Sequence, residues 1–482
     1  MRNLKRALSL ALAAIMLVGM MVVSASAASY NDLTDKDQIV NKDAVSMLVS
    51  LGIIEGKPDG SYAPTENVDR AQMAKMLSVI MNKGVDNSAL YQSVNSGLTD
   101  ITSNWAKGHI NYCYTTGIIA GRGNGTFDPS ATVTALEAAK MLLVAVGYDP
   151  AIEGFEGADW AINVSVRADE QGIFEGFTKD LSAPLNRDDA ALLIYNALDV
   201  EMIQSYTTNN YPIAYSDHRT ILADKYGVIK VQGVVVANEW ASLASDDGDA
   251  ALKEGKTTIY NGEGIFSTTG NTTVSKEDAS LKTQTFNVST PVDMLGKTVN
   301  LYIKKTTILA DSTVYGDPVV SDVNTVVTTG ETVLYSGAKD PQVDYDKLLG
   351  ENGLTDKDAK YFWNYNSGKY IPNTTEKYGD KTANVKGATL TIIDNNGDGE
   401  VDYVLSVEKA LADITSVNSK KETVTVRTLG TLDNKDVVGY EDMAKEDVVL
   451  YVQYGGRTYL EKPEVVTGEM EHFNVKGTEK YM

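Results

Sequence analysis

A helix-start signal followed by an apolar stripe occurs three times within the first 200 residues, and this repetition constrains the fold more than any other feature. In residues 67–81, Asp69 and Gln72 have the spacing of a capping box, and apolar residues follow at helical intervals. The same pattern returns at residues 134–142 and 186–194. Each segment is predicted to form a helix with one buried face.

A shorter signature precedes each of these helices. Its three copies read LGIIEG, TGIIAG and QGIFEG, at residues 51–56, 116–121 and 171–176. The first glycines, Gly52, Gly117 and Gly172, lie roughly 65 and then 55 residues apart. The chain is therefore predicted to contain a tandem array of units of about 50 residues. Residues 44–51 have helical spacing, and Gly52 is expected to end that helix with a positive φ.

Arg70 follows the capping Asp69 at a helix N-terminus, where backbone N–H groups and the helix dipole favour an anion. Its guanidinium adds a forked donor that suits a carboxylate. In a single helix, the plainer interpretation would be an arginine that solvates the helix end. Because Arg187 takes the same place in the third unit, the repetition favours a carboxylate-binding role for both arginines.

The N-terminus has the three parts of a secretory signal peptide. Basic residues at the start are followed by an apolar run over residues 7–23 and by the small-residue cleavage signal Ala25-Ser26-Ala27. Residues 1–27 are therefore predicted to be removed on export. No later stretch of the sequence is long and apolar enough to span a bilayer. We predict a secreted protein that a binding domain retains at the cell surface.

The composition argues against nucleic-acid and membrane-surface partners. With 65 acidic and 43 basic residues and a formal charge of −22, the chain repels polyanions in general. Recognition of an acidic polymer must therefore rely on a few locally placed arginines or lysines. The single cysteine, Cys113, excludes an internal disulfide framework and a cysteine-based zinc site. Its apolar surroundings predict a buried thiol in a helix of the second repeat.

Catalytic motifs are scarce in this sequence. The three histidines, His109, His218 and His472, are far apart, and the chain contains no HExxH, GxSxG or phosphate-loop motif. Its carboxylates stand on no recognisable glycosidase-like segment, and a solvated acidic surface is the simpler interpretation. A non-enzymatic protein is therefore predicted.

Several short motifs follow one another in the same order within the repeats. An early aspartate (Asp32, Asp100) precedes a Trp-Ala pair (Trp105, Trp160), the glycine signature, a glycine-rich turn and the capped helix start. This order resembles the S-layer homology (SLH) domain of bacterial surface proteins. The resemblance covers about residues 30–200. Its three repeats lie at residues 30–83, 98–147 and 155–200.

The resemblance implies a three-lobed α-helical prism with pseudo-threefold symmetry, whose grooves bind the secondary polymer of a Gram-positive-type cell wall. In the family, the ligand is often a pyruvylated, and therefore anionic, sugar. Carried over residue by residue, the resemblance implies Arg70 and Arg187 as carboxylate donors, Asp32 and Asp100 as acceptors of sugar hydroxyls, Trp105 and Trp160 as packing surface, and Gly56 and Gly121 as points of close backbone approach.

Three departures from the family pattern limit this carry-over. Ala135 stands where the family has arginine, the first repeat lacks a tryptophan, and the third lacks a clear early aspartate motif. No single repeat has the whole set, so each groove is expected to draw on neighbouring repeats, and at most two competent grooves are expected. Trp105 and Trp160 are open to two interpretations, ligand surface or core packing.

Beyond residue 200, short β-branched runs bounded by Gly, Asn and Asp are typical of β-sandwiches or small barrels. They cover residues 228–236, 298–303, 389–393, 403–407, 423–426 and 448–452. Residues 294–303 and 443–452 resemble each other, so two related β modules are predicted, at 205–340 and 381–482, around an insertion at 341–380. The fold class is therefore multidomain, with a helical SLH triplet followed by β-rich modules. The last residues look like the opening of another module, and the chain is expected to be a fragment.

One turn in the β region is a weak calcium candidate. Asp394, Asn396, Asp398 and Asp402 fall at positions one, three, five and nine of an EF-hand loop. Leu405 stands where the loop needs its bidentate glutamate, and the flanking segments read as strands. A hairpin turn of Asn, Gly and Asp explains the stretch without metal and is preferred over a calcium-stabilised turn. No other cofactor is predicted.

The leading hypothesis is a surface protein, such as an S-layer subunit, whose SLH triplet docks on secondary cell-wall polysaccharide while its β modules self-associate in a lattice or coat. One alternative is a wall-anchored adhesin, which an exposed aromatic stripe or groove around residues 361–370 would favour. A second alternative is a surface hydrolase, which two carboxylates converging in a pocket would favour.

Overall fold

The structure is a computed structural model that describes part of the chain. The described residues are 30–243, 251–266, 278–304, 306, 311–329, 342–343, 345–367, 383–384, 388–463, 474–476 and 479–481. The predicted signal peptide, residues 1–27, lies outside them. The chain divides into two compact units. The first comprises residues 1–233, 259–288 and 299–319, and the second comprises residues 234–258, 289–298 and 320–482. The domain limits predicted at 205, 340 and 381 stay predictions.

Six α-helices lie among the described residues up to residue 200. They are α1 (Lys42–Ser50), α2 (Arg70–Met81), α3 (Lys107–Thr115), α4 (Ala135–Val146), α5 (Trp160–Glu170) and α6 (Arg187–Leu198). The three helices predicted from the repeated start signal are α2, α4 and α6, and each is confirmed. The predicted helix over residues 44–51 is α1, and Gly52 ends it with a φ of +70° as expected.

The capping boxes explain where these helices begin. In α2, the Gln72 backbone N–H donates to Asp69 Oδ1 over 2.7 Å, and the Asp69 N–H donates to Gln72 Oε1 over 3.0 Å. In α4, Thr134 and Glu137 make the same two contacts. Each box satisfies two backbone donors that a helix end would otherwise leave without partners.

The three repeats meet in a closed ring of backbone hydrogen bonds. The Val68 N–H donates to the Leu185 carbonyl, the Leu185 N–H to the Val133 carbonyl, and the Val133 N–H to the Val68 carbonyl, over 2.7 to 2.9 Å. Each of these residues immediately precedes the N-cap of its helix, so the starts of α2, α4 and α6 converge on one centre. All three side chains are buried, so the ring stands inside a shared core.

Burial of the apolar stripes follows the predicted pattern with one exception. In α2, Met73, Leu77 and Ile80 have at most 1% of their surface exposed. Met76, predicted for the same stripe, is only half-buried and lines a groove instead. Cys113 on α3 is fully buried, which confirms the predicted packing thiol.

Strands follow the helical repeats. They are β1 (Ile203–Tyr206), β2 (Pro212–Ala214), β3 (Val228–Asn238), β4 (Thr257–Tyr260), β5 (Thr283–Phe286), β6 (Thr298–Lys304), β7 (Thr313–Val320), β8 (Thr325–Thr328), β9 (Gln342–Val343), β10 (Lys360–Trp363), β11 (Asn366–Ser367), β12 (Ala383–Asn384), β13 (Ala388–Asp394), β14 (Tyr403–Glu408), β15 (Ala410–Asn418), β16 (Thr423–Val426), β17 (Gly430–Asp433), β18 (Val437–Val438), β19 (Val448–Tyr454), β20 (Arg457–Glu461), β21 (Asn474–Lys476) and β22 (Glu479–Tyr481). A short helix, α7 (Tyr345–Glu351), lies between β9 and β10. All six β-branched runs chosen from the sequence are strands, so the β-rich character of this region is confirmed.

These strands form three larger sheets and three two-stranded ribbons among the described residues. The larger sheets have the strand orders β5-β4-β3-β6-β7, β11-β10-β14-β13-β8 and β17-β16-β15-β19-β20-β18. The ribbons pair β1 with β2, β9 with β12, and β21 with β22. No helix of the described residues is long and apolar enough to cross a bilayer.

The first and third of these sheets are related, as the internal resemblance predicted. In both, the long first strand of the module pairs with the strand that follows a 3-10 turn. The entry to that strand is held in the same way in each sheet. In the first sheet, the Gly296 N–H donates to the Val235 carbonyl, and the Val235 N–H donates to the Lys297 carbonyl. In the third sheet, the Glu446 N–H donates to the Ile414 carbonyl, and the Ile414 N–H donates to the Asp447 carbonyl. The sequence resemblance therefore reflects a shared strand order.

Candidate functional site

Arg70, the first residue of α2, reaches from repeat one into the glycine-rich turn of repeat two. Its Nε donates to the Phe127 carbonyl over 2.9 Å, and its Nη2 donates to the Ala120 carbonyl over 2.8 Å. The guanidinium carbon lies 4.4 Å from the centroid of the Phe127 ring, which is cation–π geometry. Burial, with a smaller contribution from Arg122, lowers the pKa of Arg70 to about 10. Arg70 therefore stays charged at neutral pH while it braces the turn.

Arg187, the first residue of α6, makes the same contact with repeat one. Its Nε donates to the Tyr62 carbonyl over 2.8 Å, and its guanidinium carbon lies 4.8 Å from the Tyr62 ring centroid. The Tyr62 hydroxyl returns a hydrogen bond to the Arg187 carbonyl over 2.6 Å. Arg187 is half-buried, whereas Arg70 is only 4% exposed. Among the described residues, neither Nη nitrogen of Arg187 has a hydrogen-bond partner.

The helix N-termini themselves are closed to ligands, which corrects one expectation. The N–H groups of Arg70 and Ala71 donate to carbonyls of the turn that precedes α4, and those of Arg187 and Asp188 donate to carbonyls of the turn that precedes α2. The third amide of each helix is held by the capping side chain. The backbone of these helix starts is therefore satisfied, and any attraction for an anion comes from the guanidinium groups.

An aspartate holds the turn in repeats one and two, but the counterpart of Asp100 in repeat one is Asp35 and not Asp32. Asp100 accepts the backbone N–H groups of Phe127 and Asp128, at 2.9 and 2.6 Å. In repeat one the same role belongs to Asp35, which accepts the N–H groups of Tyr62 and Ala63. The prediction of Asp32 as the counterpart of Asp100 is therefore wrong. The aromatic-x-Asp motif drew attention to the wrong carboxylate, because the functional equivalence lies in Leu-Thr-Asp at residues 33–35 and 98–100.

Asp100 acts as a brace for the turn. Burial alone would raise the pKa of its carboxyl, but the two N–H groups it accepts outweigh burial and hold the pKa below its ordinary value. Both carboxylate oxygens point at backbone donors, so their first role is to fix the turn. Acceptance of sugar hydroxyls, expected from the family resemblance, stays a prediction.

Gly56 and Gly121 are needed by the turn itself. A Cβ atom on Gly121 would lie 2.9 Å from the Thr126 carbonyl oxygen, and one on Gly56 would lie 3.4 Å from the Ser61 carbonyl oxygen. The chain's own backbone therefore already approaches these glycines closely. Both residues also line the cavities described next, so the prediction that a ligand approaches them stays open to test.

We name the first cavity the Trp160 groove. It has a volume of about 560 Å³ and lies where the three repeats meet. Arg70 comes from repeat one, Trp160 and Glu156 come from repeat three, and the remaining polar residues come from repeat two. Those repeat-two residues are Gly121 and Arg122 in the turn, with Glu137 and Lys140 on α4.

We name the second cavity the Trp105 groove, and it has a volume of about 280 Å³. Arg187 comes from repeat three and Trp105 from repeat two. Repeat one supplies the other polar lining residues, which are Glu55, Gly56 and Lys57 in the turn, with Gln72 and Lys75 on α2.

The two grooves are built from equivalent residues. Gly56, Lys57, Gln72, Lys75 and Met76 lie 65 residues before Gly121, Arg122, Glu137, Lys140 and Met141, respectively. The sequence motifs did not identify these polar residues as part of a groove; they are Lys57, Gln72, Lys75, Arg122, Glu137 and Lys140. The constant spacing of 65 residues could have found them, had it been applied to every polar position of the repeats.

The third equivalent position lacks the binding set, in line with the departures noted in the sequence. Ala135 takes the place of the arginine and is fully buried. Val40, which is 65 residues before Trp105, takes the place of the tryptophan and is 81% exposed. Leu192, three residues after Asp189, takes the place of Lys75 and Lys140. This position therefore offers neither a forked donor nor an aromatic platform.

The two tryptophans differ in exposure. Trp105 is 58% exposed, and only the edge of its ring faces His109, at a centroid distance of 6.4 Å. Trp160 is half-buried, with Lys140 Nζ 5.8 Å from its ring centroid. Core packing therefore does not account for Trp105, whose open ring face is suited to stacking on a sugar.

Ion pairs occupy several of the groove cations. Lys57 pairs with Glu66, and Lys75 lies 3.3 Å from Glu55. In the Trp160 groove, Lys140 donates to the Phe155 carbonyl over 2.6 Å, and burial lowers its pKa.

The calcium candidate lies in a hairpin turn between β13 and β14, and the preference for a metal-free turn stays a prediction. Asp394 accepts the N–H groups of Asn396, Gly397 and Gly399. Asp398 accepts the Glu400 N–H, and Asp402 accepts the Asn395 N–H. These bonds close the turn. Among the described residues, no group of three or more acidic, histidine or cysteine side chains is placed to hold a metal.

An exposed aromatic stripe would have favoured an adhesin, and two carboxylates converging in a pocket would have favoured a hydrolase. The described part of the second unit bears on both features. The Phe362 ring is buried, Tyr361 donates to Asp356, and Trp363 Nε1 donates to Glu408, so this aromatic run is engaged internally. Asp433 and Asp436 line one cavity of about 610 Å³. The Asp433 side chain is 63% exposed and lies 3.7 Å from Lys435.

Comparison with known proteins gives matches in the same region. The model of the S-layer homology domain matches residues 29–74 and 97–139. The chain is 27% identical to a cell surface protein of Thermoanaerobacter kivui over 270 residues, which is 56% of this chain and 32% of that protein. It is 27% identical to the middle cell wall protein of Brevibacillus brevis over 206 residues, covering 42% of this chain and 18% of that protein.

An S-layer protein of Bacillus licheniformis is 32% identical over 113 residues, covering 23% of this chain and 12% of that protein. The chain thus spans less than a third of the length of each of these three relatives. Two enzymes, an amylopullulanase and an exoglucanase, also match over 36% of this chain and over 10% and 16% of their own lengths.

Proposed function

From the premise that this chain carries S-layer homology domains and is similar to bacterial cell-surface proteins, we propose that its helical repeats hold it on the cell wall. The ligand is an anionic secondary wall polymer, bound in the Trp105 and Trp160 grooves. The observation that carries this proposal is the composition of the grooves. In each, an arginine, a glycine turn and a tryptophan from three different repeats line one cavity.

The three repeats act as one three-lobed helical prism with pseudo-threefold symmetry. The ring of hydrogen bonds through Val68, Val133 and Leu185 supports this geometry, because it joins the three residues that immediately precede the equivalent N-caps. Repeat three takes part in it on equal terms with the other two, and it supplies Arg187 to one groove and Trp160 to the other.

The chemistry of the grooves fits a sugar that carries a carboxylate, such as a pyruvate ketal. A guanidinium binds a carboxylate through parallel N–H donors, and Arg187 has its two Nη groups available for this. The apolar face of a pyranose packs on an aromatic ring, and Trp105 offers an open one. The chain carries a formal charge of −22, so an anionic polymer is attracted only where cations are concentrated in this way.

The sheets of the second half serve as the outer part of the protein, which self-associates in a surface coat. The similarity to S-layer proteins supports this assignment, and the two similar enzymes match over 36% of this chain. The protein itself acts without catalysis. Its abundance in a surface extract tests this role, because coat subunits dominate such an extract and an adhesin or hydrolase does not.

Co-sedimentation with cell-wall sacculi tests the anchoring. The secreted full-length chain is mixed with intact sacculi and with sacculi stripped chemically of their secondary polymer, alongside Trp105→Ala and Trp160→Ala. We expect binding to intact sacculi, loss of binding on stripping, and weaker binding of both variants. Arg219→Ala, which removes an arginine outside both grooves, is the matched control. Binding that survives stripping would contradict the proposal.

A further inference from the structure

The third sheet closes on itself at one point. Its end strands, β17 and β18, lie at opposite ends of the strand order β17-β16-β15-β19-β20-β18. Only the three residues of a 3-10 turn, Asn434–Asp436, join these two strands in sequence, and β18 pairs with β20 in parallel. The two ends of the sheet therefore meet at this turn, as in a small barrel. The cavity of about 610 Å³ that Asp433 and Asp436 line is at this seam.

The lining of this cavity is mainly polar and comes from the seam and from the β19–β20 hairpin. The carboxylates of Asp433 and Asp436 are acceptors, and the guanidinium of Arg457 is a donor. Asp433 lies 3.7 Å from the exposed Lys435, and such an ion pair is weak in water. Within the described part of the chain, the Asp436 carboxylate has no partner. The cavity therefore contains a charged acceptor that the fold itself does not use.

Two sets of contacts hold the β19–β20 hairpin, which forms one wall of the cavity. Gly455 packs so closely on the backbone of Trp240 that a Cβ atom at this glycine would overlap the Trp240 carbonyl oxygen. The Tyr454 ring is stacked on the Tyr459 ring at a centroid distance of 4.1 Å, and it meets the Tyr365 ring edge-on at 4.8 Å. This wall is therefore rigid before a ligand binds, which lowers the entropy cost of binding.

The contact from Tyr365 strains the backbone of another sheet. Asn364 and Tyr365 form the two-residue turn between β10 and β11, with φ values of +46° and +59°. Asparagine and glycine are favoured in such a turn, whereas a tyrosine in the left-handed region is strained. Strained residues that their surroundings hold in place cluster at functional sites. The fixed position of Tyr454, and with it the rigid cavity wall, accounts for this strain.

The charges that line the cavity narrow the class of ligand. Two carboxylates repel an anion, and Arg457 opposes an organic cation. Across the described residues, no group of three or more acidic, histidine or cysteine side chains is placed to hold a metal. A sugar hydroxyl fits both charges, because it donates to a carboxylate and accepts from a guanidinium. The cavity volume also lies within the range of roughly 300 to 1,000 Å³ that small-molecule sites have.

We propose that this cavity of the third sheet binds an uncharged, hydroxyl-rich glycan. Asp436 accepts hydrogen bonds from neighbouring hydroxyl groups of a sugar ring, and Arg457 donates to another. Tyr365 is a positioning residue, because it acts on the ligand only through Tyr454 and the hairpin. The site lies outside the helical repeats and is independent of the anchoring function, so the protein could be held on the wall by one half and bind a glycan with the other.

Calorimetry on the full-length chain with three neutral disaccharides tests this proposal. Cellobiose and maltose represent glucans from outside the cell, and N,N′-diacetylchitobiose represents the amino sugars of a cell wall. We expect the wild type to bind at least one of them, and the one that binds identifies the source of the glycan. Variants at the cavity then show whether the binding occurs there.

Asp436→Ala should weaken binding of the disaccharide about tenfold, because a charged acceptor of hydroxyl groups is lost. Asp436→Asn keeps one acceptor oxygen and should recover part of the affinity. Asp442→Ala is the matched control, since Asp442 is likewise the exposed last residue of a 3-10 turn but lies outside the cavity. It should change the affinity less than about twofold. Equal melting temperatures verify that the variants are folded.

Tyr365→Asn tests the positioning role, because asparagine suits the left-handed turn and removes only the ring. We expect weaker binding of the disaccharide together with faster amide hydrogen exchange at residues 453–458, since the hairpin loses the contact that holds Tyr454. Saturation with the disaccharide should slow this exchange again. A merely structural role of Tyr365 would change the exchange without changing the affinity.

Two results would overturn the glycan site. One is the absence of binding of all three disaccharides by the wild type at millimolar concentration, and the other is equal affinity of Asp436→Ala and the wild type. Unchanged affinity in Tyr365→Asn would overturn the positioning role alone. Co-sedimentation with sacculi measures the anchoring separately, so failure of this site and failure of the anchoring are distinguishable.

Discussion

The Trp105 and Trp160 grooves share one frame and differ in the side chains that face the cavity. In each, an arginine stacks on an aromatic ring and binds its carbonyl, and an aspartate holds the same turn through two N–H groups. The aromatic ring and the aspartate of each turn repeat at the 65-residue spacing with the same role, whereas Gln72 and Glu137 repeat at that spacing but carry different functional groups. Residues that build the turn can therefore be distinguished from residues that select a ligand. Stability measurements report the first set, and binding measurements report the second.

The largest effect on stability is expected at the third equivalent position, which lacks the arginine found at the other two. Ala135 is fully buried at the place of the arginine in repeat two, and the turn of repeat three is three residues shorter than the turns that hold Arg70 and Arg187. Ala135→Arg would force a long charged side chain into a site without a matching aromatic ring or carbonyl. We expect a loss of about 4 kcal/mol in the free energy of unfolding.

Urea denaturation followed by circular dichroism measures this loss. Ala135→Ser, which adds only a hydroxyl group, is the matched control and should cost about 1 kcal/mol. If Ala135→Arg is as stable as the wild type and binds sacculi better, the third position accepts an arginine. The difference described here between this position and the two grooves would then be wrong.

Arg70→Ala should destabilise the chain by about 3 kcal/mol. The substitution leaves the Ala120 and Phe127 carbonyls without their donors and removes the cation–π contact. Arg122→Ala, in the same groove but exposed and ion-paired, should cost less than about 0.5 kcal/mol. Comparable losses for the two variants in urea denaturation would contradict the bracing role of Arg70.

Arg187→Ala should separate binding from stability more cleanly than Arg70→Ala. It removes one hydrogen bond and a more exposed cation–π contact, so we expect a loss of about 1 kcal/mol in stability. Affinity for intact sacculi should fall about tenfold or more, because the available Nη donors go with it. Arg187→Lys keeps the charge without the fork and should recover only part of the binding. Full recovery would mean that charge alone is recognised.

A histidine provides a difference in pH response between the grooves. His109 lies behind Trp105, with its Nδ1 2.6 Å from Ser78 Oγ and its Nε2 3.7 Å from Asp86 Oδ2. Val164 takes the equivalent place behind Trp160, at the same four-residue interval. The place equivalent to His109 behind Trp160 therefore holds no titratable side chain.

Burial lowers the pKa of His109, although Asp86 opposes this effect. The folded chain then binds this proton less tightly than the unfolded chain, so the contribution to stability is complete above pH 6.5 and is lost as the pH falls through the lowered pKa. The melting temperature should fall further between pH 7 and pH 5 in the wild type than in His109→Gln. Identical pH profiles would show that the histidine has no such influence.

The smallest effect is expected on removal of calcium. The carboxylates of Asp394, Asp398 and Asp402 already accept backbone N–H groups of their own turn. Treatment with EGTA should therefore leave both the melting temperature and sacculus binding unchanged. A drop in either quantity that added calcium reverses would assign the ion a role in the turn or in bridging to the polymer.

Local signals were sufficient to predict most of the secondary structure. Capping boxes and apolar spacing predicted α2, α4 and α6 because both act within one turn of a helix. The β-branched runs predicted the six main strands, and the resemblance of residues 294–303 to 443–452 predicted two sheets of related order. The family match and the surface-protein relatives confirm the resemblance to SLH proteins and the location at the cell surface or wall.

The candidate site was harder to predict, because its contacts cross between repeats. The helix amides were expected to face a ligand, but they face carbonyls of a neighbouring turn that is more than 50 residues away in sequence. Asp35 was overlooked in favour of Asp32, since only the folded turn shows which carboxylate meets the N–H groups of Tyr62 and Ala63. Lys57 and Gln72 carry no motif of their own and become groove residues only when three repeats surround one cavity.

The most direct test of the account is a crystal structure of the chain bound to a methyl hexoside that carries a pyruvate ketal. The account predicts that the ketal carboxylate lies about 3 Å from the Nη atoms of Arg187, with the sugar ring against Trp105 and the Gln72 amide nitrogen within donor distance. The same ligand bound on the sheets of the second unit would contradict it.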